Sequence, residues 1–510
     1  MSNQNTQTDI IIIGAGLSGL LALKKIVEEG STKKVELYEA LDRVGGRVYT
    51  QEKQGYKLDK GASWIGPTQT RMYDLVKEYN LKTTEQYEVG NNLIYFKGQD
   101  NYSEYLFILL VIANLYSLFT LSWFMVSNIL IGSLVLYFIY YKFICDKRVK
   151  MIQKAYKGTI PKMSLNNLIQ FSIIQFKLEY HAKRINLEDP YSSPNAKEFD
   201  QITLKEWALQ YLKSEDNPTY KSLLCATDSI FGVDPSEISL LHVLFQIKTA
   251  GNFDKVMSSR GGAQQDRIVG GSSQIPLAVQ KQLNQYIHLS SPVTRIDNSN
   301  PENIIITFEK GNTRTCKRVI IAVPPLVISK TIQITNIPQE KVKMMQAMQH
   351  GQLVKIFCVF KTPFWREQGK TGAVLSPELQ PSLIYDVSNE KNGILLSFLI
   401  YPHQKGYRDL SEEQRQEFIL NHQCQFFGEK EVRENFLLFC DENFTDEKYL
   451  QGCPVGVFGV DGWKLHGKYW RQPINNIFWA ATETSTIWNG YMEGAVRAGE
   501  RAAQEVLKSF

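Results

Sequence analysis

An apolar, β-branched run, Ile10 to Ile13, breaks into Gly14-Ala15-Gly16-Leu17-Ser18-Gly19, and an acidic residue, Glu39, follows twenty positions after Gly19. Few stretches restrict a chain as much. A strand buried on both faces of a parallel sheet has to be apolar throughout. Each glycine then removes a side chain that would obstruct a step: Gly14 the tight turn, Gly16 the approach of a pyrophosphate to the backbone, Gly19 the packing of helix on strand. A pyrophosphate at Gly16 and Ser18 would meet the free N–H groups of a helix N-terminus, where the dipole also favours negative charge. The second strand, Lys34 to Glu39, places the Glu39 carboxylate to accept from a ribose hydroxyl. The stretch reads as a dinucleotide-binding α/β unit, with a tight turn in some other α/β fold as the plain alternative.

The continuation through Arg43, Gly45, Gly46 and Arg47 adds two arginines and a glycine pair, which suits a ligand whose phosphates need further donors. Here the chain resembles the flavin-containing amine oxidases, the monoamine oxidase family, whose members bind FAD through this extended fingerprint. The resemblance implies an α/β, two-domain FAD-dependent amine oxidase fold. In it, a Rossmann-type FAD domain (1–85, 255–344 and 446–510) is interleaved with a substrate domain of mixed sheet plus helices (86–254 and 345–445), with an apolar insert at 101–150. At 510 residues the chain is longer than one core usually serves. Resemblance also places Gly61, Ala62, Ser63 and Trp64 in the loop beside the flavin, Val293 against the adenine, and Tyr449 as a flavin contact. Thr482 and Glu483 end a strand before Trp488 to Val496 opens the final helix, which brings Tyr491 and Met492 to the flavin's pyrimidine end, where reduced flavin is negative. Ala481 departs from the glycine usual before Thr-Glu.

The 57 basic and 52 acidic residues give a net charge of +5 with no run of like charge, so nucleic acid is not an expected partner. Seven dispersed cysteines without C-x-x-C spacing argue against a disulfide framework and a zinc site. The scattered histidines offer no metal or hydrolytic arrangement. The N-terminal residues lack an apolar core and the sequence ends at Phe510 without an apolar tail, so the expectation is a cytoplasmic chain not anchored as the mammalian enzymes are. From Tyr105 to Tyr141, however, there is no charged residue. One membrane crossing takes about 20 apolar residues. Both flanks would bind the same FAD, which excludes a single crossing. A tight hairpin, a monotopic membrane patch, a non-native insert and an ordinary core helix pair stay open, so membrane association is a second reading of location. A homodimer is an open assembly.

Lys355 stands in the middle of the apolar run Leu353 to Phe360. Burying an ammonium is costly unless it finds partners or lowers its pKa. The bland reading is an edge-strand lysine snorkelling to solvent. By resemblance Lys355 is the family's catalytic lysine, holding a water near flavin N5, and Tyr491 is one wall of an aromatic cage that orients the amine. Cys453 occupies the position whose cysteine bonds covalently to flavin in the mammalian enzymes. Pro454 and Phe444 stand where those enzymes carry other aromatic residues, which leaves Phe458 and Trp463 as candidates for the missing wall. The implied reaction is oxidation of an amine to an imine and aldehyde with O₂ reduced to H₂O₂. Related polyamine or amino-acid oxidases, and a flavin-binding, membrane-associated protein without turnover, are the alternatives.

Overall fold

The computed structural model describes residues 8–98, 150–158, 163–400 and 404–510. The apolar run Tyr105 to Tyr141, and with it every reading of that run, lies outside them.

Two sheets organise the chain, and the architecture is mixed α/β. The first has eight strands: Ile287–His288, Val35–Tyr38, Thr8–Ile13, Thr313–Ile321, Ile304–Phe308, Val293–Asp297 and Gln333–Thr335 in spatial order, with Ile477–Trp479 also paired to Thr313–Ile321. Ile10, Ile11 and Ile12 are fully buried, as a central parallel strand requires. Thr313–Ile321 lies at the centre of this sheet. Thr313–Ile321 is long enough to form an antiparallel hairpin with Ile304–Phe308 at its start, and to run parallel to Ile477–Trp479 at its end, beside Thr8–Ile13. The helices Leu17–Glu28 and Met492–Lys508 pack against each other. A Cβ on Gly499 would lie 2.1 Å from Ser18 O, so only glycine permits this approach.

The second sheet runs Phe436–Glu442, Leu353–Phe360, Gly393–Ile400, Leu383–Asp386, Lys370–Leu375, Asn91–Gly98 and Lys150–Tyr156. Leu353–Phe360 is buried at every position and flanked on both sides, which excludes the edge-strand reading of Lys355. Asn91–Gly98 pairs antiparallel with Lys150–Tyr156 so that Gly98 faces Lys150.

Helices fill residues 165–257. Two of them, Ala196–Asp200 and Leu204–Leu212, are separated by a short break. The cause is local: Thr203 Oγ1 accepts from the Glu206 N–H, and the Glu206 carboxylate accepts from the Thr203 N–H, a reciprocal cap that starts a new helix. The apolar spacing after Ser239 gives the helix Leu240–Ala250, capped by Ser239 and almost wholly buried. Among the described residues no helix is long and apolar enough to cross a membrane.

Candidate active site

A cleft with an empty volume of about 1930 Å³, its open mouth included, runs between the two sheets. Gly14, Gly16, Ser18, Glu39, Arg47, Gly61, Ala62, Ser63, Trp64, Val293, Lys355, Tyr449, Cys453, Thr482, Tyr491 and Met492 all line it. Gly19 and Glu483 stand behind the wall, as do Arg43, Phe458 and Trp463.

The three glycines of the turn separate by function. Gly14 has φ +98°, which L side chains rarely adopt, and a Cβ on Gly19 would lie 1.9 Å from Gly14 O, so the turn itself requires both. A Cβ on Gly16 would meet nothing within 4 Å. No protein contact explains that glycine, whereas a ligand occupying the space beside it does. The helix Leu17–Glu28 starts from Gly16 without a side-chain cap, which suits a pyrophosphate at its N-terminus. Glu39 accepts from the Ala15 and Leu41 N–H groups, one on each carboxylate oxygen. Each oxygen keeps a further lone pair for a ribose hydroxyl, and burial raises the Glu39 pKa. These features fit FAD.

Arg47 was expected to reach toward phosphates. Its guanidinium instead forks onto Glu483, at 2.7 and 3.1 Å, and also donates to Pro454 O at 2.8 Å. The Glu483 carboxylate is buried, yet Arg47 draws its pKa below the usual value. This pair joins chain segments 436 residues apart under the cavity floor.

Lys355 Nζ donates to Asp59 O at 3.0 Å, Gly61 O at 2.5 Å and Ser63 Oγ at 2.8 Å. An ammonium has three donors, and three protein acceptors meet them here. Lys355 thereby clasps the loop from Asp59 to Trp64. Among the described residues no carboxylate touches the ammonium, since Asp59 turns its side chain to Thr50 and Ser272. Desolvation accordingly lowers the Lys355 pKa to about 8. The ammonium lies 5.6 Å from the Trp64 ring centre and 5.7 Å from that of Phe398.

Tyr491 is partly buried, with its ring edge-on to Trp488 at 4.9 Å. Phe458 and Trp463 do not supply a second wall: both pack into the core around His242, outside the cleft. Tyr385 and Phe398 line it instead, forming with Trp64 a group of rings 5.5 to 6.3 Å apart. Sequence reasoning missed both. They lie in the buried strands Leu383–Asp386 and Gly393–Ile400, where aromatic residues read as core; only the folded register, which sets Phe398 opposite Lys355, brings it to the site. Ala481 sits in ordinary extended backbone at φ −61°, ψ 150°, so the position does not call for glycine's conformational range. Phe444 lines the cleft. Burial pushes the Cys453 thiol up to about 11, against the pull of Lys355 and Arg47.

Comparison with known proteins agrees with this geometry. The amine oxidase [flavin-containing] B of Sus scrofa is 27% identical over 514 residues, covering 99% of this chain and 87% of that protein. The amine oxidase [flavin-containing] of Oncorhynchus mykiss is 28% identical over 513 residues, covering 99% and 87%. Among solved structures, cyclohexylamine oxidase from Brevibacterium oxydans IH-35A has a TM-score of 0.82 at 23% identity, covering 99% of each chain. Putrescine oxidase bound to putrescine has a TM-score of 0.82 at 22% identity, covering 98% of this chain and 99% of that one. The model of the flavin containing amine oxidoreductases matches residues 17–507. With a dinucleotide turn, a buried lysine and an aromatic cleft in one cavity, the chain belongs to the flavin-containing amine oxidoreductase family and is an amine oxidase.

Proposed function

We propose that the chain oxidises monoamines to imines, which water hydrolyses to aldehydes, with O₂ reduced to H₂O₂. One observation supports this substrate class: among the described residues, Glu39 is the only carboxylate lining the cleft, and it is held at the Gly-rich turn by the Ala15 N–H. The second ammonium of a diamine would be desolvated there without a counter-charge. An amino acid's carboxylate would find as its only arginine Arg47, already engaged by Glu483. The putrescine-bound structure above shares the fold at 22% identity, and that likeness does not carry its ligand over.

FAD, when bound, supplies the two-electron acceptor. The site residues in the proposed scheme are Gly14, Gly16, Ser18, Gly19, Glu39 and Val293 for the adenosine and pyrophosphate, and Arg47, Gly61 to Trp64, Tyr449, Cys453, Thr482, Glu483, Tyr491 and Met492 around the ring. Lys355 holds the loop carrying Gly61 to Trp64. Trp64, Tyr385, Phe398 and Tyr491 exclude water, and their low-polarity surroundings favour the uncharged amine. The division into domains 1–85, 255–344 and 446–510 against 86–254 and 345–445 is part of the proposal; every strand of the first sheet falls in the former set and every strand of the second in the latter.

Peroxide release with benzylamine, tyramine, putrescine, spermidine and leucine tests the reading. Peroxide with the two monoamines supports it; putrescine or leucine as the best substrate overturns it. The proposal extends to a covalent bond between Cys453 and FAD, supported by the free Cys453 facing the cleft. Colour that stays on acid-precipitated polypeptide supports that bond, and colour released to the supernatant rejects it. Membrane contact through residues 105–141 and a homodimer are further proposals, tested by vesicle flotation and light scattering.

A further inference from the structure

Gln246 stands on the helix Leu240–Ala250 with only 1% of its surface exposed, and its side chain lines the cleft. Its Nε2 donates to the backbone carbonyl of Asn489, while its Oε1 has no hydrogen-bond partner among the described residues. The assignment of O and N is fixed by that bond, because the flipped amide would set oxygen against oxygen. The result is an acceptor locked in place on the cleft wall, where Ser229 and Gln264 are further polar residues of the lining. Ile230, Ala263 and Tyr491 share this part of the lining. Asn489 also ties Gln246 to the turn that carries Tyr491, two residues on.

A buried acceptor without a partner is expensive, and a ligand that brings a donor to it gains what a ligand without one forfeits. Lysine and arginine would serve as internal donors, but the cleft's Lys355 and Arg47 have their donors engaged elsewhere and its Lys60 is paired with Glu442. We propose that Gln246 is a specificity-determining residue whose Oε1 accepts an N–H from the neutral substrate amine, so that the site selects primary and secondary amines over tertiary ones. A neutral tertiary amine has the same lone pair and the same oxidisable α-carbon but no N–H. This inference rests on the monoamine reading above.

The test compares kcat/KM for benzylamine and N,N-dimethylbenzylamine in the holoenzyme and in Gln246→Leu and Gln246→Met, with FAD content and melting temperature recorded for each. Wild type is expected to favour benzylamine by at least about tenfold, the scale of one hydrogen bond in a dry site. In both variants this preference should fall to within about twofold of unity. A purely structural role for the Gln246–Asn489 tie would lower both rates together and keep the ratio. A retained tenfold ratio in the variants, or a wild type that oxidises both amines equally, overturns the proposal while leaving the monoamine reading intact. Peroxide from neither amine, with FAD bound, overturns both.

Discussion

Lys355 concentrates the chemistry of the site in one side chain. Its ammonium is desolvated, has no carboxylate in contact and spends its three donors on the loop from Asp59 to Ser63. Lys355→Met should therefore slow reoxidation of the reduced enzyme by O₂ sharply, and wild-type oxidation kinetics in stopped flow would remove the lysine from that step. Loss of the clasp should also loosen the loop, seen as a faster loss of FAD on dilution. The pH dependence has a definite sign. The Lys355 pKa is about 8 in the fold against 10.5 for the free side chain, so between these values the unfolded chain holds the proton more tightly than the native one. The penalty, on the order of 3 kcal/mol, is fully present below about pH 8 and fades as pH rises toward 10.5. Urea titrations should then show the stability of wild type relative to Lys355→Met improving from pH 7 to 10; a flat difference would mean that burial does not depress this pKa. The lysine was legible in the sequence because a charge inside an apolar strand is conspicuous. Its partners were not, since two of them are backbone carbonyls that no side-chain pattern announces.

Among the elements, the Gly-rich turn makes the sharpest contrast. A Cβ on Gly16 enters open space, whereas one on Gly19 would meet Gly14 O at 1.9 Å. Gly16→Ala should retain the fold but lose FAD affinity, and Gly19→Ala should destabilise the protein before any ligand is considered; calorimetry with and without added FAD distinguishes them. Equal melting losses in both would show that Gly16 serves packing. The turn and its acidic residue were readable because their spacing encodes a local geometry. The Arg47–Glu483 pair was not, since its partners are 436 residues apart and each looked like a cofactor contact by itself. Breaking a buried pair leaves an uncompensated charge, so Arg47→Ala should cost about 3–5 kcal/mol. A loss below about 1 kcal/mol in denaturant midpoints, the level of surface pairs, would show that Glu483 is not held as a buried anion.

At the scale of the molecule, the two interleaved sheets were anticipated through resemblance, and the central place of Thr313–Ile321 was not, because a strand that changes neighbours along its length has no signature in apolar pattern. The aromatic lining at Tyr385 and Phe398 was hidden for a related reason: core and cavity wall have the same composition until the fold opens a space between them. The register that sets Gly98 opposite Lys150 bears on the apolar run. Strands so paired can be joined by a loop of 2–5 residues, so replacing residues 99–149 with a short turn should preserve folding, FAD content and turnover. Failure of that variant to fold would make the run part of the core. The central claim, that this cleft takes electrons from an amine, is tested most directly by mixing the purified yellow protein anaerobically with benzylamine and then admitting air. The flavin absorbance should bleach on mixing and return with release of H₂O₂; a flavin that stays oxidised with benzylamine and tyramine alike would contradict the account.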